Sequence, residues 1–235
     1  MKGSCKQFWL GVRDLMPLVS GVLPFGLIVG ATGISLGMTP EMVMGMSALF
    51  FAGSAQLAAY SLIQDNAPFL IILATAVVIN LRFAIYSATF APLLGPLPKH
   101  YRFTLAYMLS DQVYGLCSMP AQMEKPISER IVYLAGVALA LYVVWMISVG
   151  LGVALGAGIP PHWSLEFTIP LAFLAMLVTT ITSRLLFMVA VISGSCAVLF
   201  QLLPFNTGFL VAVVAGVCGG LWLPGLIKMR GAPRD

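Results

Sequence analysis

Apolar stretches of about 20 residues, the length that spans a bilayer as a helix, follow one another along almost the whole chain. Short segments that carry most of the charged residues separate them. Charged residues make up only 9% of the 235 residues, against roughly 25% in an average soluble domain. Since a soluble fold of this size needs a polar surface, the sequence predicts an all-α integral membrane protein.

Eight apolar segments are candidate transmembrane helices, at 15–36, 42–63, 68–94, 103–120, 131–157, 165–183, 185–203 and 207–227. Together they predict one polytopic helix bundle over residues 1–235, with about seven or eight crossings of roughly 20 residues each. The segment at 103–120 is short, carries Asp111 and ends at Pro120, so it is a candidate for a re-entrant piece. Six full crossings with re-entrant pieces therefore stay open as an alternative.

The basic residues predict the orientation, because cytoplasmic loops of membrane proteins are enriched in Lys and Arg. They stand at both ends of the chain and in two loops, at Lys2, Lys6, Arg13, Arg130, Arg184, Lys228, Arg230 and Arg234. Both termini are therefore expected in the cytoplasm, in a bacterial inner membrane. Lys99 and Arg102 do not fit eight crossings, which would place them outside. The basic residues form no patch, so membrane lipid and no nucleic acid is expected around the chain.

The first segment contains Pro17 and Pro24 together with two glycines. Proline removes a backbone donor and clashes with the preceding turn, so we expect a kink or a local unwinding there. Irregular backbone at membrane depth persists where protein or a watery cavity satisfies it, and transporters bind solutes at such breaks. A continuous kinked helix packed on its neighbours is the alternative.

Glycines recur at a spacing that predicts close helix packing, in the pairs Gly26 and Gly30, Gly33 and Gly37, and Gly216 and Gly220. A weak internal echo also joins the two ends of the chain, as Leu23-Pro24-Phe25 and Leu203-Pro204-Phe205. Duplicated transporter halves produce such echoes, but three shared residues among many Leu and Phe are also expected by chance.

Two ionisable residues lie well inside apolar segments. An Arg or Asp at the centre of a membrane helix costs roughly 2.5–3.5 kcal/mol, and neither Arg82 nor Asp111 has an opposite charge within two helical turns. The two residues are therefore a candidate ion pair between helices. The pair has either a purely structural role or a role in handling a solute or protons.

A polar island interrupts the second apolar segment at Gly53, Ser54 and Gln56. The glycine permits close approach of a solute to the backbone, and the hydroxyl and the amide offer donors and acceptors. Three such residues within four positions favour a lined cavity, although hydrogen bonds between helices are the alternative.

These elements resemble the AzlC family of branched-chain amino acid permeases. The resemblance rests on Pro24-Phe25-Gly26, Phe51-Ala52-Gly53-Ser54-Ala55-Gln56, Asn80-Leu81-Arg82 and Ser110-Asp111-Gln112, in this order. It implies a single transmembrane transporter domain that exports valine, leucine, isoleucine or similar amino acids, with a small AzlD-type membrane subunit as partner. Two residues depart from the family pattern: Phe83 stands where His is frequent, and Gln112 where Glu is frequent. Both changes remove a titratable group, which leaves Asp111 as the chief candidate for proton coupling.

A zwitterionic amino acid needs positive charge for its carboxylate, oxygen atoms for its ammonium group and an apolar pocket. Arg82 or a broken first helix is expected to serve the carboxylate, and Asp111 the ammonium group. The predicted substrate-binding or coupling residues are Arg82, Asp111, Asn80, Gln56, Ser54, Gly53, Pro24, Phe25, Gly26 and Tyr114.

Other functions fit the sequence less well. An intramembrane enzyme would need a catalytic constellation, but both histidines, His100 and His162, fall in predicted loops, and Asp111 is the sole acid predicted to be buried. The four cysteines show no paired spacing and are expected to be free buried thiols. Neither a metal nor a cofactor is expected. A channel for a small solute and a non-transporting subunit of a membrane complex remain as alternatives.

Overall fold

The computed structural model describes residues 2–156, 174, 181, 183–203 and 207–230, which form helices and contain no strand. The helices are α1 (Lys2–Ser35), α2 (Pro40–Phe50), α3 (Gly53–Gln64), α4 (Phe69–Leu94), α5 (Lys99–Tyr107), α6 (Asp111–Cys117), α7 (Pro120–Met123), α8 (Ile127–Gly156), α9 (Arg184–Leu199) and α10 (Thr207–Arg230). By length and composition, α1, α4 and α8 can each cross a membrane. The predicted all-α membrane fold is confirmed.

Helices α1 and α8 pack with their backbones in direct contact. A Cβ atom built on Gly30 would lie 2.2 Å from the carbonyl oxygen of Val149, and one on Gly136 would lie 2.2 Å from that of Phe8. Only glycine permits this approach. The pairs advance in the same direction along both helices, so α1 and α8 run parallel and begin at the same end of the bundle. We call this the N-terminal end.

The predicted glycine pairs divide between packing and turns. Gly26 and Gly30 both lie against α8, as expected, while Gly33 lies against Val43 and the Tyr60 ring. Gly37 instead has a positive φ of 78° in the turn that follows α1, a conformation that favours glycine. In the last pair, Gly216 lies near Ser193, but a Cβ on Gly220 would meet no described atom within 4 Å.

Helices α2 and α3 form a hairpin that turns back at Phe51 and Ala52. Ser47 Oγ donates a hydrogen bond to Gln56 Oε1 across the hairpin (2.9 Å), and Gln56 Nε2 donates to the Val43 carbonyl (3.3 Å). Helices of 11 and 12 residues are each roughly 17 Å long at about 1.5 Å per residue, half of a bilayer core of about 30 Å. The segment 42–63, expected as a crossing, is therefore re-entrant from the end opposite the N-terminal end.

A second break enters from the N-terminal end. Helix α4 lies beside α6, because Tyr86 and Phe90 on α4 both contact the Tyr114 ring on α6. Near the end of α6, Leu116 lines a small pocket together with Arg13 of α1. Helix α4 therefore runs toward the N-terminal end. Helix α5 follows α4 from there, and the Tyr107 ring at its end lies 6.2 Å from the Phe51 ring. The segment 103–120 is therefore broken into short helices, as expected for a re-entrant piece.

The two re-entrant pieces belong to an inverted repeat. Helix α1 with α2 and α3 forms one unit, and α4 with α5 and α6 forms a second unit that runs in the opposite direction. Counterparts are separated by 58 positions, as 53 is from 111, and both units share a Leu-Gly-x-x-Pro turn at 36–40 and 94–98. This repeat differs from the predicted echo, whose Pro204 and Phe205 lie outside the described residues.

Of the two arrangements expected for the first segment, a local unwinding at the prolines and a continuous helix, the structure has the continuous helix. Helix α1 continues through Pro17 and Pro24, because the face that holds Gly26 and Gly30 is fixed against α8 while both proline rings lie on the opposite, cavity-facing side. The breaks lie instead where the two re-entrant pieces turn back. We call these turns the tips: residues 51–52 between α2 and α3, and residues 108–110 between α5 and α6. Segment 165–183 lies largely outside the described residues, so the total number of crossings stays a prediction.

Candidate functional site

Both tips meet at one cavity of about 450 Å³ between α1, α4 and α8. This volume falls within the roughly 300–1,000 Å³ of small-molecule sites. Six of the ten predicted site residues line it, namely Pro24, Phe25, Gly53, Ser54, Arg82 and Asp111. The inverted repeat explains the convergence, because equivalent positions of the two units face each other there: Pro24 and Arg82, Phe25 and Phe83, Ala52 and Ser110, Gly53 and Asp111, and Ser54 and Gln112.

Arg82 ties the two tips together. Its Nη1 lies 2.5 Å from Asp111 Oδ2 at the start of α6, and its Nη2 donates to Ser54 Oγ (2.8 Å) at the start of α3. The guanidinium lies over the Phe83 ring, 5.3 Å from its centroid, in a cation–π contact. Arg82 and Asp111 therefore form the ion pair that the sequence left open.

Asp111 is held by several groups at once. Besides Arg82, the Tyr86 hydroxyl donates to Oδ1. Asp111 is also the first residue of α6, where the partial positive charge of the helix end stabilises a carboxylate. Tyr86 was missed by the sequence reasoning, although it stands four residues after Arg82 and so shares its helix face.

Aromatic and apolar side chains form the remaining wall. The Phe25 and Trp145 rings lie 6.0 Å apart, and Phe51 packs 5.2 Å from the Tyr142 ring. Trp145 on α8 lines the cavity but was also missed, because an aromatic residue in an apolar run is most often ordinary core. The cavity therefore combines an apolar wall with one strongly polar side.

Four predicted residues lie away from the cavity wall. Gly26 packs against Ser148 of α8, and the Tyr114 ring stacks 4.6 Å from that of Tyr86, behind Asp111. Asn80 is half-buried on α4, and its Oδ1 has no hydrogen-bond partner among the described residues. Gln56 is 2% exposed inside the first hairpin. Of the polar island, only Gly53 and Ser54 therefore reach the cavity.

Gln56→Ala is expected to destabilise the protein without a specific effect on the cavity. Gln56 satisfies buried groups of Ser47, Val43 and Tyr60, and a buried polar group left unpaired costs about 1–3 kcal/mol. The measurement is the melting temperature of the purified protein in detergent, with the exposed Gln201 changed to Ala as control. Unchanged stability with altered solute selectivity would contradict this structural role.

Comparison with known proteins places these features in one family. The family model described as AzlC protein matches residues 17–159, a range that includes both re-entrant pieces and the Arg82–Asp111 pair. No curated protein and no solved structure matches the chain. The match covers more than half of the sequence, so the chain belongs to the AzlC family.

Proposed function

We propose that the chain is a membrane carrier that exports hydrophobic amino acids of the valine, leucine and isoleucine class in exchange for protons. The AzlC family is associated with branched-chain amino acid transport. The observation that carries the proposal is the Arg82–Asp111 pair in the cavity wall, where both re-entrant tips meet. Paired charges at membrane depth mark solute and ion pathways in transporters.

The cavity offers complementary surfaces for a zwitterion with an apolar side chain. Arg82 and the N-terminus of α3 provide positive charge for a carboxylate, and Asp111 provides negative charge for an ammonium group. Phe25, Phe51 and Trp145 offer an apolar surface to the side chain. Among the described residues that line the cavity, Asp111 is the only acidic one, which supports its assignment as the proton-carrying group.

The charge distribution supports cytoplasmic placement of the N-terminal end. Apart from Arg82, every Lys and Arg between residues 5 and 156 lies at that end, namely Lys6, Arg13, Lys99, Arg102, Lys125 and Arg130. At the opposite end of the bundle, where the first hairpin begins and ends, the charged residues are Glu41 and Asp65. Since cytoplasmic loops are enriched in Lys and Arg, we place both chain termini in the cytoplasm of a bacterial cell. Lys99 and Arg102 fit this orientation because both re-entrant pieces turn back.

A small AzlD-type membrane subunit is the proposed partner. This assignment follows from family membership. The long α4 helix has exposed surface for such a subunit, because only 6% of its most apolar 18-residue stretch is buried. Transport assays therefore need the chain alone and the chain together with this subunit.

The decisive test is uptake of radiolabelled valine into inside-out vesicles with an acid interior. Export from the cell corresponds to uptake into such vesicles, and outward proton flow drives it. We expect accumulation above the medium concentration, and we expect Asp111→Asn to abolish this accumulation because it removes the proton-carrying group.

Asp14→Asn is the matched control. Asp14 also accepts a hydrogen bond from a tyrosine, Tyr133 (3.1 Å), and lies beside an arginine, Arg13 (3.5 Å), but at the N-terminal end. Accumulation that persists in Asp111→Asn would overturn the role of Asp111. Valine equilibration without accumulation at any imposed gradient would favour a channel, and no valine movement, with or without the small subunit, would overturn the amino-acid assignment.

A further inference from the structure

The Arg82 guanidinium shows how this cavity holds a cation. It contacts a carboxylate, a hydroxyl and an aromatic face, which belong to Asp111, Ser54 and Phe83. Long side chains on a helix lean toward the helix N-terminus, so the charged group of Arg82 lies over the turn of α4 that precedes it. The second repeat unit therefore carries its own cation, placed between that turn and the two tips.

The equivalent place in the first repeat unit has no cation of its own. Pro24 stands where the second unit has Arg82, and its ring carries neither a charge nor a donor. The counterparts of the three Arg82 contacts all line the cavity, and they are Gly53, Gln112 and Phe25. The hydroxyl and the aromatic face therefore have equivalents, an amide and a ring, while the carboxylate has none. We call this place the counterpart site.

Gln112 brings an unused polar group to the counterpart site. It is half-buried in the cavity wall, and its amide has no hydrogen-bond partner within the described part of the chain. The other polar side chains of the wall are occupied, as the hydrogen bonds of Ser20, Ser54, Arg82, Ser110 and Asp111 show. The Gln112 amide oxygen is therefore an acceptor that is available to a ligand.

Pro24 supplies a second acceptor. Proline has no backbone N–H, so the Ser20 carbonyl, four residues earlier in α1, lacks the donor that another residue at position 24 would provide. Ser20, Gly21 and Pro24 are all exposed in the cavity wall, and a Cβ built on Gly21 would meet no described atom within 4 Å. This turn of α1 is the equivalent of the turn of α4 over which Arg82 leans. A cation in the counterpart site would therefore lie beside the Ser20 carbonyl.

We propose that the Gln112 amide oxygen, the Ser20 carbonyl and the Phe25 ring form a subsite for a primary ammonium group, which takes the place in the first unit that the Arg82 guanidinium takes in the second. Neutral oxygens and an aromatic face are suitable partners for an ammonium group. The ligand class is a primary ammonium compound with an apolar chain, and a carboxylate on the ligand is not required for binding at this subsite.

This inference rests on the proposed function and refines it. Both carboxylate oxygens of Asp111 already accept hydrogen bonds, from Arg82 and Tyr86, so the direct contacts of the solute ammonium group come from other oxygens while Asp111 supplies negative charge nearby. The carboxylate that holds Arg82 is replaced at the counterpart site by Gly53. A solute cation is therefore held less firmly than Arg82, which permits its release.

The test separates the two charged groups of the solute. Radiolabelled valine bound to the purified full-length protein is displaced by unlabelled valine, by isobutylamine, which lacks the carboxylate, or by isovalerate, which lacks the ammonium group. Gln112→Met keeps the length of the side chain and removes the amide. We expect roughly tenfold weaker binding of valine and isobutylamine, the effect of losing one hydrogen bond to a charged group, and unchanged binding of isovalerate. Gln201→Met is the matched control, because Gln201 is exposed and lies outside the cavity wall.

Pro24→Ala tests the Ser20 carbonyl. Alanine restores the N–H that this carbonyl would accept, so we expect weaker binding of valine and isobutylamine together with a higher melting temperature. Pro92→Ala is the matched control, because Pro92 also lies inside a helix, α4, but outside the cavity wall. We expect it to raise the melting temperature and to leave the binding of all three ligands unchanged.

Three results would overturn the subsite. The first is failure of isobutylamine to displace valine from the unsubstituted protein, because a cation site must bind the amine alone. The second is an unchanged affinity of Gln112→Met for valine and isobutylamine, or an equal loss of all three ligands, which would indicate a change of cavity shape alone. The third is a more stable Pro24→Ala that binds valine as before. Failure of the unsubstituted protein to bind valine at all is a separate outcome, which would contradict the proposed function itself.

Discussion

Arg82→Gln is expected to reduce valine transport to the level of empty vesicles while most of the protein remains folded. The substitution removes the positive charge that faces the solute carboxylate, and it also separates Asp111 from its counter-ion. Breaking a fully buried ion pair costs about 3–5 kcal/mol. The Arg82 and Asp111 side chains are 26% and 39% exposed, so we expect a smaller loss of stability than that.

The double variant Arg82→Gln with Asp111→Asn separates transport from structure. Replacing both members of an ion pair leaves no uncompensated charge and is often neutral for stability. If the pair were purely structural, the double variant would regain both stability and transport. We expect it to regain stability, measured as the melting temperature in detergent, and to remain unable to transport valine.

Arg102→Gln is the control for Arg82. Arg102 on α5 is also partly buried, and its guanidinium lies over a neighbouring aromatic ring, Phe103, at 5.4 Å. It differs in lying outside the cavity wall. Full transport by Arg82→Gln, or equal loss in both variants, would contradict the assigned role of Arg82.

Gly30→Val is expected to prevent accumulation of folded protein. The first atom of the new side chain would lie 2.2 Å from the Val149 carbonyl and 2.7 Å from the Val153 amide, so α1 and α8 must separate. Overpacking in an ordinary core costs about 1–3 kcal/mol, occasionally more, and here both obstacles are backbone atoms that cannot rotate away. The measurement is the yield of monodisperse protein after detergent extraction and gel filtration.

Gly194→Val is the matched control, because a Cβ on Gly194 of α9 would meet no described atom within 4 Å. Valine is slightly better than glycine within a helix, so we expect its yield to equal that of the unsubstituted protein. A normal yield of Gly30→Val would show that α1 and α8 do not pack as described.

The ion pair and most of the residues around it can be predicted from the sequence, because an unpaired charge inside a membrane is energetically unfavourable. An isolated Arg82 or Asp111 at membrane depth is unfavourable, so the sequence makes each a candidate partner for the other. The family resemblance independently marked Gly53, Ser54 and Pro24. Gln56 was placed in the cavity because a polar residue in an apolar run is expected to line a cavity or to join helices, and composition does not distinguish these roles.

The positions of the breaks did not follow from the sequence. Pro17 and Pro24 predict an interruption by a local rule, but the packing of Gly26 and Gly30 on α8 keeps α1 continuous. The second segment shows the converse problem, because its apolar run has the same length and composition whether it crosses or turns back. Only the contacts of Gln56 with Val43 and Ser47 across the turn distinguish the two arrangements.

Two units of opposite orientation have a further consequence for movement. If each unit adopts the conformation of its counterpart, a vestibule open to one side of the membrane becomes one open to the other, without any rearrangement of the helix order. The gates in such a cycle are the two tips, and the contacts of Arg82 with Asp111 and Ser54 hold them together. A solute that draws Arg82 away from either residue would break these contacts. Binding of a solute in the cavity would then be coupled directly to the change of access.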